Sequence, residues 1–274
     1  MFTLNCKGRL LVVEEPIVMG IINATPDSFY AGSRIKIEND LLHKAEQMIA
    51  EGAAILDIGG QSTRPGSQQV AAEEELRRVL PAIEAIHKRF PGQLISIDTF
   101  YASVAKAAIQ SGASVVNDVS AGSIDEAMIE TVAQLQVPYV LMHMKGHPQT
   151  MQQNPVYKNV VLDVFDFLNF RLTEIVRAGI HDVIIDPGFG FGKTLEHNFQ
   201  LLRELSYFRQ LDRPIMVGLS RKATVYKTLQ IAADEALNGT TVVHTLALVN
   251  GANILRVHDV NEALQAIRIV QAYK

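Results

Sequence analysis

At 274 residues, 48% of them hydrophobic, the chain can bury a large core. Its net charge of −4 and pI near 6.1 argue against a nucleic-acid partner, which selects a basic face. A lone cysteine, Cys6, excludes an internal disulfide and fits a reducing cytoplasm. No basic-then-apolar leader opens the sequence, and no apolar run approaches the roughly 20 residues of a membrane span. No composition shift marks a linker, so residues 1–274 read as one domain.

Phe2 to Val13 holds two short apolar pieces around Lys7-Gly8, the pattern of a β-hairpin. Apolar runs then recur, each closing on a polar group. Ile17 to Ile22 ends at Asn23, Ile55-Leu56 at Asp57, Leu94 to Ile97 at Asp98, and Val115-Val116 at Asn117. Tyr139 to Met142 ends at His143, and Val183 to Ile185 at Asp186. Ile215 to Leu219 leads into Ser220-Arg221-Lys222, and Ile254-Leu255 into Arg256-Val257-His258-Asp259. Between them lie amphipathic stretches: Glu38 to Glu51, Ala72 to Arg89, Tyr101 to Gln110, Ile124 to Gln134, Val160 to Arg177, Thr194 to Leu205, Asp234 to Val249 and Asn261 to Ala272. This alternation predicts a (β/α)8 TIM barrel, whose active site lies at the C-terminal mouth of the strands and whose floor the hairpin would cap. The alternative is an open doubly wound sheet, which scatters the same polar tips along a crevice.

Two connections, Asn23 to Ser33 and Gly59 to Ser67, are long and rich in turn formers, and at a barrel mouth they are lid candidates. His143 and His147 invite a zinc reading, but the segment is not helical and offers no third ligand at metal spacing; a pocket wall and a solvated histidine account for them. Gly192-Lys193-Thr194 imitates the end of a phosphate loop, yet Pro187 stands where the motif needs its first glycine. The alternating glycines 188, 190 and 192 fit either a tight turn or close backbone approach to a flat ligand, with Phe189 and Phe191 as apolar walls.

Asp57, Asp98, Asn117 and Asp186 form a cup of acceptors, which suits a flat ring whose N–C–N edge donates hydrogen bonds. Arg221, Lys222, Arg256 and His258 gather at the seventh and eighth strands, where barrels commonly hold phosphate. The residues thus call for a hydrogen-bonding ring with a phosphorylated arm.

The motifs carrying these residues resemble those of the dihydropteroate synthase family. They are Asn23-Ala24-Thr25-Pro26-Asp27-Ser28-Phe29, Asp57-Ile58-Gly59-Gly60-Gln61-Ser62-Thr63-Arg64-Pro65-Gly66, Ser96-Ile97-Asp98-Thr99, Asn117-Asp118-Val119-Ser120-Ala121-Gly122, Asp186-Pro187-Gly188-Phe189-Gly190-Phe191-Gly192-Lys193, Ser220-Arg221-Lys222 and Arg256-Val257-His258-Asp259. They come in the family's order and span almost the whole chain. The resemblance implies condensation of 6-hydroxymethyl-7,8-dihydropterin pyrophosphate with p-aminobenzoate, giving 7,8-dihydropteroate and pyrophosphate, in an enzyme targeted by sulfonamides.

Carried over by position, Asp98, Asn117, Asp186 and Lys222 would grip the pterin, with Met142 and Gly218 also in the substrate site. Arg256 and His258 would bind the pyrophosphate, and Asn23 would stand beside its Mg²⁺. Thr63, Arg64, Pro65 and Phe189 would complete the p-aminobenzoate site, and Lys222, Arg256, Asp98 and Asp27 would be catalytic. The resemblance also implies a homodimer through the last helices. Two departures stand out: Ala31 and Gln61 occupy positions where many members carry an acid and a Glu. The competing readings are a pterin-binding methyltransferase acting on a corrinoid and a non-catalytic pterin-binding paralogue. Ser220-Arg221-Lys222 and Arg256-Val257-His258 argue against the first, since methyl transfer needs no pyrophosphate grip. Asn23, Lys222 and Arg256 argue against the second.

Overall fold

The computed structural model describes residues 1–24, 34–61, 69–147 and 150–274, with backbone alone for residues 34–38. The hairpin forms as β1 (Phe2–Cys6) and β2 (Arg9–Val13), paired antiparallel. Lys7 and Gly8 make its turn with φ of 55° and 84°, the two positive values that match the twist of the flanking strands. Asn5 Oδ1 braces the turn by accepting from the Gly8 N–H at 2.8 Å.

Eight parallel strands follow: β3 (Ile17–Asn23), β4 (Ile55–Gly59), β5 (Leu94–Asp98), β6 (Val115–Asp118), β7 (Tyr139–Met142), β8 (Val183–Asp186), β9 (Met216–Val217) and β10 (Ile254–Val257). Their order is β8-β7-β6-β5-β4-β3-β10-β9, and a parallel bridge between Ile185 and Ile215 joins the two ends. The sheet therefore closes into the expected barrel and is not open. Around it lie α1 (Arg34–Glu51), α2 (Ala72–Arg89), α3 (Ala102–Gln110), α4 (Met128–Leu135), α5 (Val160–Arg177), α6 (Leu195–Arg203), a 3₁₀ helix (Leu205–Leu211), α7 (Ala223–Leu229), α8 (Leu237–Val249) and α9 (Val260–Tyr273). No helix among the described residues is long and apolar enough to cross a membrane.

Some expected boundaries move. Helix α1 begins at Arg34 and not Glu38. Helix α4 begins at Met128 and not Ile124, because the Asp125 carboxylate draws the chain into a turn, accepting from Ala102 N at 2.8 Å and Ala127 N at 3.0 Å. The expected strand Ile215 to Leu219 keeps a ladder only at Met216–Val217, since the chain turns at Leu219 to Arg221, with Arg221 left-handed at φ 52°. Helix α7, which no amphipathic pattern announced, starts right after Lys222.

The pleat explains what the barrel holds. Alternate strand residues point inward, and one from each strand forms a single apolar layer: Met19, Ile55, Leu94, Val115, Val140, Ile184, Met216 and Ile254. Leu4 and Cys6 of the hairpin pack into the same cluster, so the hairpin closes the floor as expected. Burial pushes the Cys6 thiol up to about 12, which makes it an inert packing group. The outward residues of the same strands, among them Leu56, Ile97, Leu141 and Leu255, join the larger core beneath the helices.

Candidate active site

Two residues above each floor residue, the next inward positions are Ile21, Asp57, Ser96, Asn117, Met142, Asp186, Gly218 and Arg256. One further step brings Asn23, Gly59 and Asp98 to the rim. The period-two pleat that builds an apolar floor thus delivers a polar layer directly over it. Asp57, Asp98, Asn117 and Asp186 are all buried, and a buried carboxylate is costly unless paired.

Arg256 supplies that pairing. Its Nε donates to Asp57 Oδ2 at 2.6 Å and its Nη2 to Asp98 Oδ2 at 2.5 Å. Asp57 Oδ2 also accepts from Asn117 Nδ2 at 3.0 Å, whereas Asp57 Oδ1 is buried and unpaired among the described residues. Burial works against the charge of Arg256, but Asp57 and Asp98 outweigh it and hold the guanidinium protonated. Burial pushes the Asp98 carboxyl up to about 7 against the pull of Arg256, and the negative charges of Asp57 and Asp118 add to the rise. Breaking one partner out of such a buried set typically costs about 3–5 kcal/mol.

The segment after β8 is shaped by its glycines. Asp186 Oδ1 accepts from Gly188 N at 2.7 Å. Gly188 has φ 73°, and a Cβ there would lie 1.8 Å from the His143 carbonyl oxygen, so only glycine fits. Lys193 folds back beneath this turn. Its ammonium, almost fully buried, meets Gly188 O at 2.9 Å, Phe191 O at 3.1 Å, His143 O at 3.3 Å and His143 Nδ1 at 2.9 Å. His143 is accordingly a buried strut, held neutral by burial and by the Lys193 charge.

Lys222 Nζ donates to Phe189 O at 2.6 Å and sits 4.5 Å from the centre of the Phe191 ring. Burial pushes Lys222 down to about 8, against the pull of Asp186 and with the push of Arg256. Burial likewise raises Asp186, with Lys222 opposing. The Phe189 side chain is fully buried in the core between barrel and helices, while Phe191 clusters with Met142, Phe100 and Val119. Phe191, and not Phe189, is the aromatic ring beside Lys222. Gly218 lies against this ammonium, where a Cβ would make ordinary contact with Lys222 Nζ at 3.6 Å.

Of the four basic groups expected together, three converge. His258 Nδ1 lies 3.0 Å from Ser220 Oγ, and burial, helped by the Arg256 charge, pushes the ring down to about 4, so it is a neutral imidazole. Arg221 turns away. It grips Asp259 through two bonds of 2.9 Å and bonds the Asp234 carbonyl, which braces the turn before α7 against the start of α9. Its left-handed backbone explains the divergence from Lys222 next door.

At the rim, Asn23 closes β3 opposite Gly59 of β4, half-buried. A single amide oxygen there would suit a magnesium ion, which prefers hard oxygens and gives up its waters reluctantly. After β4, Gln61 Nε2 donates to Glu75 Oε2 at 2.6 Å, deep in the protein. Burial pushes Glu75 up to about 8, so at neutral pH this departure from the family's Glu pairs an amide with a protonated acid. Asp27, Ala31, Thr63, Arg64 and Pro65 lie outside the described residues.

Sequence reasoning places Asp57 in the acceptor cup without assigning it a partner, and it has no role for Lys193. Asp57 stands one pleat above Ile55, as Asn117 stands above Val115 and Asp186 above Ile184, and that shared spacing is the signal that marks it as a site residue.

Comparison with known proteins agrees with this geometry. The sequence pattern described as pterin binding enzyme matches residues 19–258. The chain is 41% identical over 271 residues to dihydropteroate synthase of Escherichia coli strain K12, covering 98% of this chain and 95% of that one. The structure of Xanthomonas albilineans dihydropteroate synthase with 4-aminobenzoic acid superposes with a TM-score of 0.92 at 41% identity, covering 99% of this chain and 97% of the other. The same enzyme in complex with 7,8-dihydropteroate gives 0.88 at 39% identity, with 99% and 98% covered. A likeness that runs almost end to end in both sequence and shape leaves no other assignment: the chain belongs to the dihydropteroate synthase family of pterin-binding enzymes.

Proposed function

We propose that this transferase joins 6-hydroxymethyl-7,8-dihydropterin pyrophosphate to p-aminobenzoate, releasing pyrophosphate. The observation that carries the reading is the layer of buried acceptors, Asp57, Asp98, Asn117 and Asp186, set against the two half-buried cations Lys222 and Arg256. Acceptors take the donor edge of the ring, and cations meet the phosphates. Arg256 spends Nε and Nη2 on carboxylates, and its Nη1 makes no hydrogen bond among the described residues, which leaves that nitrogen for a phosphate oxygen. The neutral His258, held by Ser220, adds a donor without further charge.

In the reaction, the bond from the pterin's exocyclic methylene to oxygen breaks, and its electron pair leaves with pyrophosphate. Lys222 and Arg256 stabilise the departing charge. The cation left behind is spread over the ring, beside the carboxylates of Asp98 and Asp186. The amine nitrogen of p-aminobenzoate then forms the new bond and gives up a proton to solvent. Asn23 would hold the Mg²⁺ that the pyrophosphate carries; when bound, that ion neutralises charge on the leaving group. The lids bearing Asp27 and Thr63-Arg64-Pro65 would seat the amine and keep water out. Two copies would pair through the outer face of α8, where Val242, Leu246 and Val249 are exposed. A reducing cytoplasm suits the lone buried thiol of Cys6.

The test mixes both substrates with Mg²⁺ and follows pyrophosphate and the coupled product. Amine-dependent release is the expected result. Calorimetric binding of the pterin pyrophosphate without any p-aminobenzoate-dependent release would overturn the reading in favour of a binding protein.

A further inference from the structure

Asp57 is the least exposed carboxylate of the site, and beyond its place in the acceptor layer it carries no step of the reaction derived above. It nonetheless joins two parts of the pocket. Its Oδ2 takes Asn117 Nδ2 at 3.0 Å on one side and Arg256 Nε at 2.6 Å on the other. A carboxylate ion-paired to a guanidinium only accepts, so the amide face of Asn117 turned toward Asp57 must be its nitrogen. The amide oxygen then lies on the side away from Asp57, and it makes no hydrogen bond among the described residues. An asparagine amide has two faces of nearly equal size. Only its partners decide which face a ligand meets.

We infer that Asp57 is a specificity-determining positioning residue. By holding the Asn117 nitrogen it keeps the Asn117 oxygen toward the ring, so this edge of the pocket presents acceptors and selects a pteridine with an amino group at position 2 over one with a carbonyl there. The inference rests on the proposed reading that the site binds a pterin ring. Without Asp57 the Asn117 amide is free to turn, and a donor face would then accept the carbonyl ring. A site built to pair with one hydrogen-bonding group rejects the analogue lacking it, because its own buried groups are left unpaired.

The probes are 2-amino-4-oxopteridine and 2,4-dioxopteridine, which differ at position 2 in the group the pocket is held to read. Dissociation constants for both are measured by calorimetry on the full chain for wild type, Asp57→Leu, Asp57→Ala, Asn117→Ala and Asp57→Ala/Asn117→Ala. Wild type is expected to favour the amino ring, and each Asp57 variant to reduce that preference by at least about tenfold. In the Asn117→Ala background, Asp57→Ala should change the preference no further, since the residue acts through Asn117. General loosening of the site weakens both rings together and leaves their ratio alone. Asp57→Leu keeps the side chain's size and removes its acceptors, so the test stays decisive if Asp57→Ala fails to fold. An unmoved ratio in the Asp57 variants, or an equal shift persisting without Asn117, overturns the inference while the pterin reading stands. A wild-type protein that binds neither ring overturns the pterin reading and the inference together.

Discussion

Replacing Asp186 by asparagine changes the chemistry of one atom and almost none of the volume. The bond from Gly188 N to Oδ1, 2.7 Å long, is retained by the amide oxygen, so the turn after β8 keeps its shape. The second oxygen becomes an NH₂ group, and a donor now faces the donor edge of the ring in a buried site. A lost charge-assisted bond costs about 2–3 kcal/mol, or roughly 30- to 150-fold in affinity. A second effect adds to it. The Asp186 carboxylate pulls the Lys222 ammonium up against burial, so removing that charge lowers the Lys222 pKa further and weakens the grip on phosphate. The assay is calorimetric titration with pterin pyrophosphate at neutral pH, with Asp27→Asn in the first lid as comparison. The loss should be far larger in Asp186→Asn. Equal affinity in wild type and Asp186→Asn would refute the assignment of this carboxylate to the ring.

Gly188→Ala should cost more than about 3 kcal/mol of stability, or fail to fold, because its Cβ would meet the His143 carbonyl at 1.8 Å; an unchanged melting temperature would contradict this. Ring binding should rise as pH climbs through the Asp98 value of about 7, where the carboxyl gains its charge, and fall above the Lys222 value of about 8, where the ammonium loses its own. Titrations across that window should give a bell, with Asp98→Asn losing the acid limb; a flat profile would show that neither group gates binding. Light scattering at micromolar concentration should report a dimer, and Leu246→Glu should yield monomers, since Leu246 is 45% exposed on the outer face of α8; wild-type monomer alone would refute the pairing.

Much of this was legible in the sequence because a barrel is built from one repeated unit. Each buried parallel strand reads as a short apolar run, and its end is marked by whatever polar group the mouth requires. Asn117, Asp186 and Arg256 were found that way. What stayed hidden depended on contacts between distant segments. Nothing in the sequence showed that Arg256 would bond Asp57, 199 residues away, or that Lys193 would meet the carbonyl and ring nitrogen of His143, 50 residues away. Arg221 and Lys222 looked equivalent as neighbours, and only the left-handed backbone at Arg221 sends one to Asp259 and the other to Phe189. Helix α7 was missed because seven residues give too few turns for a periodic pattern to emerge.

The wall of the barrel is not equally strong all the way round. Strands β3 and β4 pair over five positions, whereas β9 is two residues long and meets β8 through one bridge and the bond from Ile185 N to Pro214 O at 2.9 Å. Asp186 stands on one side of this thin seam, and Gly218 and Lys222 stand on the other. A ring gripped by Asp186 and Lys222 at once therefore works as a rivet across the weakest joint of the cylinder. Part of the free energy of holding it becomes free energy of keeping the barrel shut, and it is concentrated where local opening would otherwise begin.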